Sequence, residues 1–155
     1  MTESVWDYPR PPRVEPSLER VVVEHGGVVI ADTTQSLRVL ETSHPPTYYL
    51  PRSAFSDGVL RVAQKAASWC EWKGAADYHD LLVGGEVLRS VAWSYPTPSP
   101  GFEVLVDHVA LYPGRVDRCT VDDEVVEPQP GSFYGGWITS RVVGPFKGAP
   151  GTQGW

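Results

Sequence analysis

The chemically richest stretch of the sequence is ETSHPPTYYLPR, residues 41–52. Its two adjacent prolines hold the backbone extended and restrict the histidine before them. Because neighbouring side chains in a strand point to opposite faces, we expect one of Tyr48 and Tyr49 in the core and the other at a site. Arg52 offers a planar fork for a carboxylate or phosphate. The alternative is a rigid turn with a Glu41–Arg52 surface pair and two packing rings.

A second cluster, WCEWKG at residues 69–74, brings a thiol and an ammonium close together in the sequence. A nearby ammonium lowers a thiol pKa and so favours the reactive thiolate. In a strand, however, positions 70 and 73 face opposite sides, so the alternative is a buried cysteine beside a surface lysine. No reaction follows from these residues. The catalytic candidates are Cys70, Lys73 and Glu41.

A third cluster, AWSYP at residues 92–96, places two rings on one face of a strand. Rings around a gap are a common way to hold flat or cationic ligands, and the alternative is an aromatic core. We predict a polar-aromatic pocket between sheets that binds a small-molecule ligand, whose anionic group Arg52 and Lys73 would hold. The predicted lining is Glu41, Tyr49, Arg52, Lys73, Tyr78, Trp93 and Tyr95.

Composition argues against several classes of function. The 155 residues carry a formal net charge of −6, and lysine and arginine do not cluster, so no nucleic-acid partner is expected. No apolar run reaches membrane length and no signal peptide is recognisable, which indicates a cytoplasmic protein with no membrane partner. The sequence lacks GxSxG, P-loop and GxGxxG motifs. Two cysteines without CxxC spacing and four scattered histidines predict no structural zinc, no other metal and no cofactor.

The elements that would position these residues are short strands. β-Branched runs separated by turns at regular intervals predict an all-β, mostly antiparallel domain. Hairpin turns are predicted at Gly26-Gly27, Gly84-Gly85 and Asp122-Asp123, because these residues tolerate positive φ. At most one short helix is predicted, over residues 56–69, where apolar residues lie near helical spacing.

The chain divides into three segments by composition. Residues 1–18 are predicted to form an extended N-terminal arm, residues 19–128 a single β domain, and residues 129–155 an irregular Gly/Pro/aromatic tail packed on the body. The tail would cover its own domain or a neighbour's, and we expect a monomer or a homodimer. The tripeptide WKG (72–74) recurs as FKG (146–148), a match too short to indicate a structural repeat.

Seven strings place the chain beside a known family. They are VWDYPRPPRVEP, GGVVIADT, RVLETSHPPTYYLPR, WCEWKGAADY, AWSYPTP, VALYPGRVD and FYGGWITSRVVGPFKGAPGTQGW. In this order they resemble the bacterial and fungal family called domain of unknown function 427 (DUF427), in its longer actinobacterial form, over nearly the whole chain. The resemblance implies an all-β fold similar to the β-tent group, in which two antiparallel sheets meet at an angle.

The resemblance also carries expectations about ligands. Many β-tent members bind zinc through four cysteines, and with two cysteines this chain should lack that site. Cereblon-like members hold a small cyclic ligand in an aromatic cage, although a shared fold does not transfer a function. The DUF427 family has also been labelled nucleotidyltransferase-like.

Three functions therefore compete. The first is a small-molecule-binding domain, or an enzyme whose reaction the residues do not specify; it predicts that Arg52 and Lys73 converge on a cavity of several hundred Å³. The second is a nucleotidyltransferase-like enzyme with these cations on phosphates and Glu41 or Asp77 on magnesium; it predicts two carboxylates near one metal. The third is a non-catalytic interaction protein with a partner-docking tail; it predicts an exposed apolar patch without an enclosed cavity.

Overall fold

The computed structural model describes residues 2–64, 68–70, 72–131 and 134–155, and it confirms an all-β protein. Its strands are β1 (Glu3–Ser4), β2 (Arg13–Ser17), β3 (Val21–His25), β4 (Val28–Thr33), β5 (Ser36–Leu40), β6 (Thr47–Pro51), β7 (Leu60–Val62), β8 (Ser68–Cys70), β9 (Gly74–Val83), β10 (Glu86–Ser94), β11 (His108–Leu111), β12 (Arg118–Val121), β13 (Glu124–Val125), β14 (Glu127–Pro128), β15 (Trp137–Ile138) and β16 (Val142–Val143). The helices within these ranges are three-residue 3₁₀ turns at Val5–Asp7, Arg52–Ala54, Glu103–Leu105 and Pro113–Arg115.

Two antiparallel sheets make up most of the structure. The large sheet has the strand order β2-β5-β6-β11-β10-β9-β7, and β8 also pairs with β9. The small sheet has the order β13-β12-β3-β4. Gly26-Gly27, Gly84-Gly85 and Asp122-Asp123 connect consecutive strands, and all six residues have positive φ. The three predicted hairpins are thus confirmed, with the backbone that a tight two-residue turn requires.

The helix predicted over residues 56–69 is wrong. Gly58 turns the chain with φ at 77°, and Leu60–Val62 and Ser68–Cys70 then pair with β9 as β7 and β8. Residues 65–67 of the predicted helix lie outside the described part of the chain. A helix here would need an apolar face to bury, yet Val62 is exposed. The open edge of β9 satisfies the backbone polar groups instead, and this tertiary pairing overrides a weak local pattern.

The large sheet is buried on both faces. One face packs against the small sheet, and this core includes Val21, Val23, Ile30, Tyr48, Leu50, Leu81, Leu111 and Trp137. The opposite face carries a second cluster of Leu37, Val39, Tyr49, Ala76, Tyr95, Phe102, Leu105 and Ala110. Tyr48 and Tyr49 therefore point in opposite directions, as the alternation of a strand requires. A site that involves Tyr49 must lie on the second face.

The N-terminal segment and the tail join the body at a third cluster, formed by Val5, Tyr8, Leu40 and Val142. Residues 13–17, assigned above to the arm, form the edge strand β2 of the large sheet. β1 pairs with β16 of the tail in parallel. The described residues contain no helix that combines the length and the apolar character needed to cross a membrane.

A charged network anchors this junction. The guanidinium of Arg38 is fully buried and donates to Glu15 Oε1 at 2.7 Å and to Glu3 Oε1 at 2.8 Å. Tyr8 donates to the same oxygen of Glu3 at 2.6 Å, and Arg141 binds its other oxygen at 2.9 Å. The ionised form of Glu3 is thus part of the native contact between the arm, β5 and the tail.

The stabilising contribution of ionised Glu3 should be lost in acid, so the free energy of unfolding should fall as the pH is lowered. Burial raises the pKa of its carboxyl, but hydrogen bonds from Arg38 and Tyr8 and the nearby arginine charges outweigh this, and the pKa falls from 4.5 to about 2. A lowered folded-state pKa contributes stability above pH 4.5 that is lost as the pH falls towards 2. We expect Glu3→Gln to flatten the loss of unfolding free energy measured by urea titration across that window. Asp57→Asn, at an exposed loop position, serves as the control, and equal slopes in all three proteins would contradict the prediction.

Candidate functional site

A cavity of about 360 Å³ opens on the second face of the large sheet. Side chains of β5, β6, β9 and β10 line it, together with the segment 41–47, the turn after β8 and parts of the tail. It lies outside the interface between the large and small sheets, contrary to the prediction, because the first core fills that interface. The rings that line the cavity are Tyr49, Trp69, Trp72, Tyr78, Trp93, Tyr95, Tyr112 and Tyr134.

The central rings hold one another in place. Trp93 donates its indole N–H to the Tyr49 hydroxyl at 3.1 Å, and the two rings lie nearly perpendicular at 6.4 Å between centroids. Tyr95 and Tyr112 extend the cluster, with centroids 6.2 Å from Tyr49 and 4.7 Å from Trp93. Burial raises the pKa of Tyr49 and of Tyr95, so both are neutral phenols at physiological pH. The rings therefore form a preorganised apolar wall with neutral hydroxyl groups.

Two lysines bring positive charge to this wall. Lys73 Nζ lies 5.8 Å from the centroid of the Tyr95 ring, and Lys147 Nζ lies 5.7 Å from that of Tyr134. Both distances suit cation–π attraction. Burial lowers the pKa of Lys73, but interactions with the neighbouring acidic groups of Tyr49, Cys70 and Glu41 outweigh this effect, so the pKa is raised overall and the amine stays charged.

A neutral histidine connects the body of the site to the tail. Gln129 accepts the N–H of Gly136 with Oε1 at 3.0 Å, so its Nε2 donates to His44 Nδ1 at 3.2 Å and to the Lys147 carbonyl at 2.8 Å. The His44 proton is then on Nε2, which lies 3.6 Å from Glu41 Oε2. Burial and three nearby cations lower the pKa of His44, and the negative charge of Glu41 opposes them. The pKa falls to about 4 overall. His44 therefore links Gln129 of the tail to the pocket wall, with its Nε2 facing Glu41.

Cys70 and Lys73 line the same cavity, although strand alternation separates them. The strand β8 ends at Cys70, and residues 72–73 form a turn that redirects the lysine. Glu71, in the middle of this cluster, lies outside the described residues. A hydrogen bond between the two side chains contributes to the raised pKa of Lys73. The other cysteine, Cys119, is buried in the first core, where desolvation raises its pKa to about 12.

Six of the seven predicted lining residues border the cavity, and Arg52 does not. Arg52 instead donates to Ser94 Oγ at 3.4 Å, and the same oxygen bonds His79 Nε2 at 2.8 Å. The reason is that β6 ends at Pro51, and Arg52 begins a 3₁₀ turn that directs its side chain to Ser94 and away from the cavity. The expected convergence of Arg52 with Lys73 is therefore wrong. Residues 41–49 form a pocket wall, and the last residues of the stretch form a corner.

The tail supplies lining residues that sequence reasoning missed, namely Gln129, Tyr134, Gly135 and Lys147. A Cβ on Gly135 would overlap the Trp93 indole, so the tail backbone lies directly on that ring. The echo of WKG in FKG was the available signal, since both lysines of these tripeptides reach the cavity. His44 was missed as well, although it lies within residues 41–52.

The site has few groups suited to a metal. Glu41 is the one carboxylate among the described residues that line the cavity, and Asp77 does not border it. Across residues 2–64, 68–70, 72–131 and 134–155, no group of three or more His, Cys, Asp and Glu side chains is placed to hold a metal ion. The paired carboxylates that the nucleotidyltransferase hypothesis requires are thus not found in this part of the chain.

Comparison with known proteins identifies a family and no characterised relative. A family model described as "Domain of unknown function (DUF427)" matches residues 13–122, more than two thirds of the chain. No curated protein matches the sequence. The matched range includes Glu41, His44 and Lys73 but ends before Gln129 and Lys147, so the tail side of the cavity lies outside it.

Proposed function

We propose that this protein, which belongs to the DUF427 family, binds a small planar molecule in the ring-lined pocket. The observation that supports this most directly is the set of eight tyrosine and tryptophan rings that the described residues place around a cavity of about 360 Å³. Cavities of roughly 300–1,000 Å³, mostly apolar with a few placed polar groups, are typical of small-ligand sites. The volume suits a ligand of one or two fused rings.

The rings favour a flat ligand for a physical reason. Ring faces gain most from dispersion contact with another flat surface, and the Trp93–Tyr49 hydrogen bond already fixes two of them. Little side-chain entropy remains to be lost on binding, which favours affinity. The interaction-protein alternative predicts no enclosed cavity, and the enzyme alternatives remain without an assigned reaction. Their candidates Cys70, Lys73 and Glu41 all border the cavity.

A thermal-shift panel of neutral ring compounds tests the proposal. The panel consists of indole-3-carboxamide, uracil, succinimide and adenosine. Because a ligand that binds only the folded state raises the melting temperature by mass action, at least one member should stabilise the protein. We expect Trp93→Leu to abolish that shift, measured against the variant's own ligand-free melting temperature.

The matched control is Trp6→Phe, because the Trp6 ring packs against Trp155 and does not border the cavity. This variant should keep the full shift. A panel without any stabilising member, or a shift that Trp93→Leu leaves intact, would contradict a ligand site among these rings.

A further inference from the structure

We infer that Lys73 and Lys147 form an anion clamp in this pocket, and that its ligand is a planar ring system bearing a carboxylate or a phosphate. The inference rests on the proposed function and adds the charge of the ligand. It assigns Lys147, from the tail, the role that sequence reasoning gave to Arg52.

The first support is the convergence of the two ammonium groups. They come from distant parts of the sequence, yet both border one cavity, each beside a tyrosine ring. The positive charges of Lys147, Arg10 and Lys73 all lower the pKa of His44, so their electric fields overlap at one wall of the pocket. The clamp is thus a local concentration of positive charge in a chain of net charge −6.

The second support is the balance of charges around the cavity. Glu41, its one described carboxylate, lies 3.5 Å from Arg10 Nε, so a third cation already offsets it. Among the described residues, no ion pair joins Lys73 or Lys147 to a side-chain carboxylate. His44 contributes no charge, because it is neutral at physiological pH. No described carboxylate side chain therefore neutralises either lysine, and both can face an anionic ligand.

The third support is the way the tail presents Lys147. Its backbone N–H donates to the Ser43 carbonyl at 2.8 Å, and its own carbonyl accepts from Gln129 at 2.8 Å. The ammonium donates to a main-chain oxygen of Trp155 at 3.3 Å, which is a long hydrogen bond. An anionic ligand at a shorter distance would be a stronger acceptor and would replace this contact at small cost. The backbone is fixed while the charged end can be redirected.

The reactivity of the Cys70 thiol can report the positive charge of the two lysines, because Cys70 borders the same cavity. Iodoacetate and iodoacetamide alkylate a thiolate by the same step: an S–C bond forms, the C–I bond breaks and iodide leaves. The ratio of the iodoacetate rate constant to the iodoacetamide rate constant does not depend on the fraction of thiolate. It therefore reports the effect of the reagent's negative charge. We expect this ratio at Cys70 to exceed that of glutathione about fivefold, as one or two ammonium groups a few Å away imply.

Site-resolved mass spectrometry would follow Cys70 in the native protein and in three variants. Lys73→Met and Lys147→Met should each lower the ratio at least about twofold. Arg118→Met, an exposed arginine on the small sheet, should leave it unchanged. Labelling of the buried Cys119 reports any unfolding in the same sample. A ratio equal to that of glutathione, or unaffected by both lysine changes, would overturn the clamp.

Matched ligand pairs then identify the anion. Indole-3-carboxylate is compared with indole-3-carboxamide, and adenosine 5′-monophosphate with adenosine, by calorimetric titration. In at least one pair the anion should bind about tenfold tighter, and Lys147→Met should weaken the anionic member more than the neutral one and so reduce that preference. A preference in the first pair identifies an aromatic acid, and one in the second a nucleoside phosphate. Equal affinities within both pairs would refute the clamp and leave the proposed function standing, whereas failure of all four to bind would count against both.

Discussion

Arg38→Met is expected to lower the free energy of unfolding by about 3–5 kcal/mol. The side chain is fully buried in the large sheet, and its two ion pairs to Glu3 and Glu15 are short. Removing Arg38 leaves the partly buried carboxylates of Glu3 and Glu15 without their shared cation, which costs far more than the intact pairs contribute. Methionine keeps most of the volume, so the loss should report the charge and not a cavity.

Urea unfolding followed by tryptophan fluorescence measures this loss. Arg13→Met is the matched control, since Arg13 lies on the neighbouring strand β2 with an exposed side chain and a loose contact of 3.5 Å to Glu15. It should change stability by less than about 0.5 kcal/mol. If Arg38→Met were as mild as the control, the network would be a surface feature that contributes little to the junction of arm, sheet and tail.

Trp137→Ala is expected to cost a similar amount, about 3–5 kcal/mol. Trp137 belongs to the tail, yet its side chain is fully buried in the first core, 5.0 Å from the Tyr48 ring. Its backbone N–H donates to the Pro46 carbonyl at 2.7 Å, at the base of the pocket wall. Truncation would open a large cavity and loosen the attachment of the tail. It should therefore also weaken the binding of any ligand that contacts Lys147.

The comparison variant is Trp69→Ala, whose side chain is 75% exposed at the rim. This change should lower the free energy of unfolding by less than about 1 kcal/mol, because folding buries little of the Trp69 side chain. Denaturant unfolding of both variants, followed by circular dichroism, provides the measurement. A small effect at Trp137 would mean that the tail is an appendage, and the lysine clamp would then lose its structural basis.

Local patterns proved informative wherever the relevant physics is local. Positive φ at Gly-Gly and Asp-Asp pairs specifies a tight turn, so all three hairpins could be predicted. Strand alternation separated Tyr48 from Tyr49 correctly. The rule does not extend to Arg52 and Lys73, because each lies in a turn after its strand, β6 or β8, has ended.

The amino-acid sequence by itself determined the all-β class and the turns, and it pointed to six residues that border the cavity. Only the tertiary structure decided that β7 and β8 replace a helix, that the pocket lies on the outer face of the large sheet, and that Lys147 reaches it. Each of these depends on contacts between distant segments: an open edge on β9, a core already filled by Trp137, and a tail held by Gln129. Such contacts are stabilised by the apolar surface that the whole folded chain buries, and no short stretch of sequence specifies them.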